Sequence, residues 1–99
     1  MSKYELTNKA VEDLTGIWEY TIEKWSEQQA DRYYNLLLDS CQDIADNPEL
    51  GKNYDGITND LFGLKTSRHI IFHRKRNDFP IEITRILHGQ MDLKIRITE

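Results

Sequence analysis

The sequence predicts an α+β fold in which an N-terminal strand and an antiparallel helical hairpin pack on a small, mainly antiparallel β-sheet. Three observations carry this. Apolar residues recur with a helical period through the first half of the chain, "DNPELG" (46–51) interrupts them, and beyond residue 60 the period shortens to about 2.

The elements follow in order. "YELT" (4–7) alternates polar and apolar residues and reads as a short opening strand, with Thr7 placed to cap the helix after it. Ala10, Val11, Leu14, Ile17, Trp18, Ile22 and Trp25 then share one helical face. Gly16 costs that helix about 1 kcal/mol relative to Ala, which packing must outweigh. Ser26 and Gln29 form a capping box, so a second helix starts near residue 27, with Ala30, Tyr33, Leu37, Cys41 and Ile44 along its apolar stripe. Pro48 and Gly51 end it. So short a link predicts an antiparallel hairpin, with Trp18, Trp25 and Tyr33 in its core. "KNYDGITND" (52–60) is a polar, turn-rich loop. "LFGLKTS", "HIIFHRKR" and "IEITRIL" read as a three-stranded meander, with "NDFP" (77–80) as the turn between the last two. The unbroken run Ile70, Ile71, Phe72 marks a central strand buried on both faces. The tail "LKIRITE" (93–99) alternates apolar and basic residues, which predicts a short extra strand or a segment ordered against a partner.

Ninety-nine residues make one domain, spanning 1–99, with a single modest core. Function must then sit on the surface or in a shallow groove. The lone Cys41 falls on the second helix's stripe and reads as an inert core thiol, which fits a reducing compartment. The N-terminus lacks the apolar core of a signal peptide and no run is long enough to span a membrane, so the expected location is the cytoplasm. The net charge of −4 is unevenly spread: residues 1–64 hold 5 Lys and Arg against 13 Asp and Glu, whereas residues 65–99 hold 8 against 4. A basic module on an acidic body suits an acidic partner peptide or nucleic acid.

Few groups are placed for chemistry. His69 and His73 are four apart, a spacing that in a strand separates them by roughly 13 Å, too far to share a metal. They read instead as groups flanking a buried run, satisfied by backbone or water. No nucleophile elbow, reactive-cysteine context or glycine-rich phosphate loop occurs, so no metal or cofactor is expected. Metal-free ribonuclease chemistry needs only a proton shuttle and cations; Arg68, Arg85 and His88 lie on successive strands and are its candidates, with Arg74 nearby. The competing reading is exposed strand charges and a histidine that ends a strand.

Taken together, Asp13-Leu14 with Ile17 and Tyr20, Asn47-Pro48 with Gly51, "HIIF" (69–72) and "RILHGQMD" (85–92) resemble the ParE-type toxins of the RelE/ParE superfamily of bacterial toxin–antitoxin systems over nearly the whole chain. The resemblance implies a cytoplasmic toxin neutralised by a cognate ParD-like antitoxin, a ribbon-helix-helix protein encoded beside it. It implies DNA gyrase as the target, poisoned by trapping its cleaved-DNA complex, with no catalytic activity of the toxin's own, no membrane association and no sequence-specific DNA binding. The alternative within the superfamily is a RelE-like ribosome-dependent mRNA endonuclease, which uses a C-terminal Tyr or a His-Tyr pair. No Tyr follows Tyr54, which favours the gyrase branch. Arg68 stands where such toxins usually have Ser, and His73 where they usually have Tyr. Expected antitoxin or target contacts are Arg68, Arg74, Lys75, Arg76 and Arg85, together with Met91, Leu93, Lys94, Ile95 and Arg96 of the tail.

Overall fold

One side chain turns the first strand into the first helix. β1 (Tyr4–Leu6) ends at Thr7, whose Oγ1 accepts the Ala10 N–H at 3.1 Å and donates to the Thr84 carbonyl at 2.8 Å. α1 (Asn8–Lys24) therefore leaves the sheet with its N-terminus capped. Ser26 serves α2 (Glu27–Asp46) in the same way, accepting the Gln29 N–H at 3.1 Å. The computed structural model describes residues 3–76, 79–90 and 93–98.

The remaining elements are β2 (Lys52–Asn53), β3 (Phe62–Thr66), β4 (His69–Arg76), β5 (Phe79–His88) and α3 (Leu93–Thr98). The sheet runs β1-β5-β4-β3-β2, antiparallel throughout except for the parallel pair β1 and β5. Phe72 pairs with Arg85 and His73 with Ile83, so Thr84 bulges from the ladder, its carbonyl turned to Thr7.

The expected α+β architecture, hairpin and meander are present. Ile71, Ile83 and Ile86 meet Ala10, Leu14, Leu37, Cys41 and Ile44 beneath the helices, while Ile70, Phe72 and Leu87 pack with Leu61 on the opposite face. β4 is thus buried on both sides, as its unbroken apolar run predicts. Burial pushes the Cys41 thiol up to about 12, which leaves it protonated and unreactive.

Three expectations change. The tail is neither a strand nor an open segment: Leu93 and Ile97 are four apart and, as one turn of α3, both reach the second core face. Alternation and i, i+4 spacing select the same two residues there, and packing decides between them. Of "NDFP", residues 77 and 78 lie outside the described residues, and Phe79 and Pro80 belong to β5. Trp25 is not core but 64% exposed, and Trp18 is half-buried, its Nε1 donating to Asp31 Oδ1 at 3.1 Å across the hairpin. The helical stripe is wider than the sheet it covers, so its last turn projects beyond it.

Gly63 is where the polar loop meets the sheet. A Cβ there would stand 2.7 Å from Tyr54 Cε2 and 2.9 Å from Ile70 Cγ2, and Tyr54 is itself edge-on to Phe72 at 5.1 Å. Gly63→Ala is expected to lower stability by about 1–3 kcal/mol through overpacking, read as a reduced urea midpoint with an unchanged slope. A midpoint equal to that of the native chain would show that Tyr54 swings away freely.

Candidate functional site

The short β1 leaves much of its longer neighbour uncovered. Beyond Ile83 the outer edge of β5 needs another acceptor, and Asp13 of α1 provides it, taking the Ile86 N–H on Oδ2 at 3.0 Å. The same carboxylate holds the Arg85 guanidinium bidentately, from Nε at 2.8 Å and Nη2 at 3.0 Å, and both side chains are largely buried. Arg85 Nη1 also donates to the Arg96 carbonyl at 2.6 Å, which ties α3 to the sheet. All three guanidinium nitrogens of Arg85 are thus engaged, while Asp13 and Ile86 border the groove beside them.

Beside this clamp a groove of about 980 Å³ opens between the helical hairpin and the ends of β4 and β5. Its apolar walls are Ile17, Tyr20, Trp25 and Leu36; Tyr20 is 60% exposed, and Leu36 is exposed with it. Single exposed apolar residues are ordinary, but a concave cluster of three marks an interaction site. Arg32 and Arg68 line the groove too, as do Glu12 and the Arg85-paired Asp13.

At one end the polar groups converge. His69 and His88 are cross-strand partners with rings at 5.3 Å, edge to face. Tyr33 Oη lies 2.7 Å from His69 Nδ1 and accepts the Arg68 N–H at 3.3 Å. The Gln90 N–H donates to His88 Nδ1 at 3.1 Å. Burial, reinforced by His88 and opposed by Asp13, lowers His69 to about 4, so this ring is neutral at physiological pH.

The other histidine differs. His73 is fully buried against Phe62, its Nε2 facing the Pro48 carbonyl at 3.2 Å, and burial lowers its pKa against the pull of that carbonyl and of the Ile71 backbone. It locks the end of α2 to the sheet and reaches no surface.

The candidates named from sequence therefore separate. Arg68 and His88 meet in the groove, while Arg85 is absent from its lining. Arg74 is half-buried, donating to Thr58 Oγ1 at 3.1 Å, and Lys75 forms an exposed ion pair with Glu49 at 3.5 Å. Met91 lies outside the described residues, as do the side chains of Arg76 and Lys94. Leu93 is packed, whereas Ile95 and Arg96 are exposed on α3. Sequence reading missed Asp13 and Tyr33 as site residues. Both had a signal, an acid bordering an apolar stripe and a stripe tyrosine whose hydroxyl requires a partner.

Among the described residues, no group of three or more potential metal ligands occurs, and no helix is long and apolar enough to cross a membrane. The fold has a solved counterpart. It matches a chain of a chromosomal ParDE toxin–antitoxin system from P. aeruginosa with a TM-score of 0.76 at 17% identity, over 89% of this chain and 96% of that one. Sequence then fixes the family: residues 4–93 match the model of the ParE toxin of the type II toxin–antitoxin system parDE, and the chain belongs to this family. Among its relatives are Toxin ParE1 of Mycobacterium tuberculosis, 32% identical over 93% of this chain and 94% of the relative, and Toxin ParE of Escherichia coli, 30% identical over 100% and 96%. Toxin ParE1 of Caulobacter vibrioides is 28% identical over 98% and 99%.

Proposed function

We propose that this ParE toxin arrests growth in the cytoplasm by trapping DNA gyrase on cleaved DNA, and that a ParD-like ribbon-helix-helix antitoxin neutralises it. The observation that carries the choice of target is the state of Arg85. An mRNA endonuclease would turn that guanidinium to a phosphate, but here the Asp13 carboxylate already occupies its fork. Gyrase poisoning asks only for a binding surface, and Arg68, Lys75, Arg76 and the outer face of α3 with Ile95 and Arg96 are the groups we assign to the antitoxin or the target. Expression without antitoxin is expected to stop growth and to accumulate gyrase–DNA cleavage complexes. Arrest without such complexes, accompanied by codon-biased cuts in translated messages, would transfer the assignment to the endonuclease.

Antitoxin capture is expected to draw on the basic module. In Lys75→Glu/Arg76→Glu, association with the antitoxin should slow by roughly tenfold at low salt and approach the native rate near 1 M, because screening then shortens electrostatic reach to about 3 Å. Arg74 is left in place because its guanidinium is part of the packing. Stopped-flow rates showing equal salt dependence in both proteins would remove these residues from the encounter surface.

A further inference from the structure

The Asp13–Arg85 pair stands between two concavities. Asp13 borders the groove, whereas Arg85 borders a smaller cavity of about 210 Å³ where the start of α1, β4, β5 and α3 meet. Lys9 of α1 and Arg74 of β4 join Arg85 in its wall, and no Asp or Glu among the described residues lines it. Chance placement would mix the signs in a chain whose acids outnumber its bases 17 to 13. The first turn of α1 carries no acid either, so the positive end of that helix adds to the same field. The three cations are not equally committed. Asp13 already holds the fork of Arg85, which leaves that residue as wall and charge. Arg74 Nη2 donates to a neutral acceptor, Thr58 Oγ1 at 3.1 Å, and its buried Nε has no hydrogen-bond partner among the described residues. Glu82 opposes Arg74 across the ladder but does not line the cavity. A buried guanidinium donor without an acceptor is a cost that an anion beside it offsets.

The remaining walls narrow the ligand. Thr7 Oγ1 gives its proton to the Thr84 carbonyl, and Thr84 Oγ1 gives its own to the Phe72 carbonyl at 3.3 Å, so neither hydroxyl has a proton left for an anion. Recognition falls to Lys9 and Arg74. One arginine fork satisfies a planar carboxylate, whereas cations converging from separate elements match an oxyanion with charge on several sides, which is a phosphoryl group. The volume lies below the about 300–1,000 Å³ of sites for whole drug-sized ligands, so only the phosphoryl group and its ester carbons enter, the carbons against Leu61 and Ile97. No His, Tyr or carboxylate among the described residues lines the cavity to move a proton, so the ester is held and not cleaved. We propose that Lys9 and Arg74, backed by Arg85, form a binding site for a single phosphate ester, carried on a nucleic-acid backbone or on a small molecule. The site is separate from the groove and does not depend on which enzyme the toxin attacks.

The test uses the full isotope-labelled chain at neutral pH, titrated at constant ionic strength with inorganic phosphate, methyl phosphate or dimethyl phosphate against a sodium chloride control. Proton–nitrogen NMR reads the Arg74 Nε–H resonance directly, together with the amides of Lys9, Leu61 and Thr84. Saturable shifts of these signals are expected, with a dissociation constant on the order of 1 mM for a single small anion. Arg74→Lys, which keeps the charge and removes the fork, should weaken binding about tenfold. Lys9→Gln, at an exposed position where folding is not at stake, should weaken it roughly threefold. Amide spectra that superimpose away from the cavity establish that each variant is folded. Dimethyl phosphate acting on the same resonances assigns the site to backbone diesters; a response to phosphate and methyl phosphate alone assigns it to monoesters. Shifts no larger than chloride produces, shifts that never saturate, or an affinity that either folded variant leaves unchanged would overturn the proposal. None of these measurements involves gyrase or cell growth, so their failure is separable from failure of the toxin assignment.

Discussion

Replacing Asp13 by Ala is expected to lower unfolding free energy by about 3–5 kcal/mol, the range for breaking a buried ion pair on one side. The carboxylate takes three N–H donors, two from Arg85 and one from the β5 edge, and all lose their acceptor together. The Arg96 carbonyl still accepts from Arg85 but carries no charge to balance a largely buried cation. Arg85→Ala should be similarly damaging and should in addition release α3, seen as faster amide exchange over residues 93–98. The pair Asp13→Leu/Arg85→Met removes both buried charges together, leaving the Ile86 N–H without its carboxylate and the Arg96 carbonyl without Arg85, so its loss should fall well short of the two single losses added together. Urea unfolding of the three variants decides this; a loss below about 1 kcal/mol in Asp13→Ala would mean that the clamp is solvated and merely superficial.

This clamp also marks where sequence reading runs out. Local rules suffice for Thr7, Ser26, Gln29, the two helical stripes and the Ile70 to Phe72 run, because each depends on neighbours within a few positions. The Asp13–Arg85 fork joins residues far apart in the chain, and nothing in the spacing of Arg85 among strand residues distinguishes a structural cation from one meant for phosphate. Trp25 fails for the complementary reason. Periodicity assigns a residue to a face, but whether that face is covered depends on where the sheet ends. The tail shows the limit of pattern itself, since the same five residues satisfy a period of about 2 and an i, i+4 pair, and only Leu61, Phe72 and Leu87 beneath them favour the helix. Of the groove, His88 and Arg68 were legible as chemistry-bearing residues. Their companions Tyr33 and His69 come together only through the packing of α2 on the sheet.

Acid is expected to unfold this protein through the same histidines. In the unfolded chain His69 takes up a proton near 6.5; in the folded chain burial, and then the neighbouring His88, hold it to about 4. Between these values the unfolded state binds more protons than the folded one, so stability falls as pH drops from about 6.5 and the loss saturates below about 4, where the folded ring also protonates. Each unit of difference is worth about 1.4 kcal/mol, which puts the effect of a partly buried His69 at about 2–3 kcal/mol. His73 acts in the same direction, because burial lowers it too and its Nε2–H already serves the Pro48 carbonyl. The carboxylates move the same curve at lower pH, so the diagnostic window is pH 6.5 to 5, where they remain ionised in the unfolded chain. In that window the urea midpoint should decline steadily for the native chain and visibly less for His69→Gln, which cannot titrate. Parallel curves for the two proteins would show that His69 protonates as readily folded as unfolded. That result would contradict the partial burial of the ring beside Tyr33 and His88.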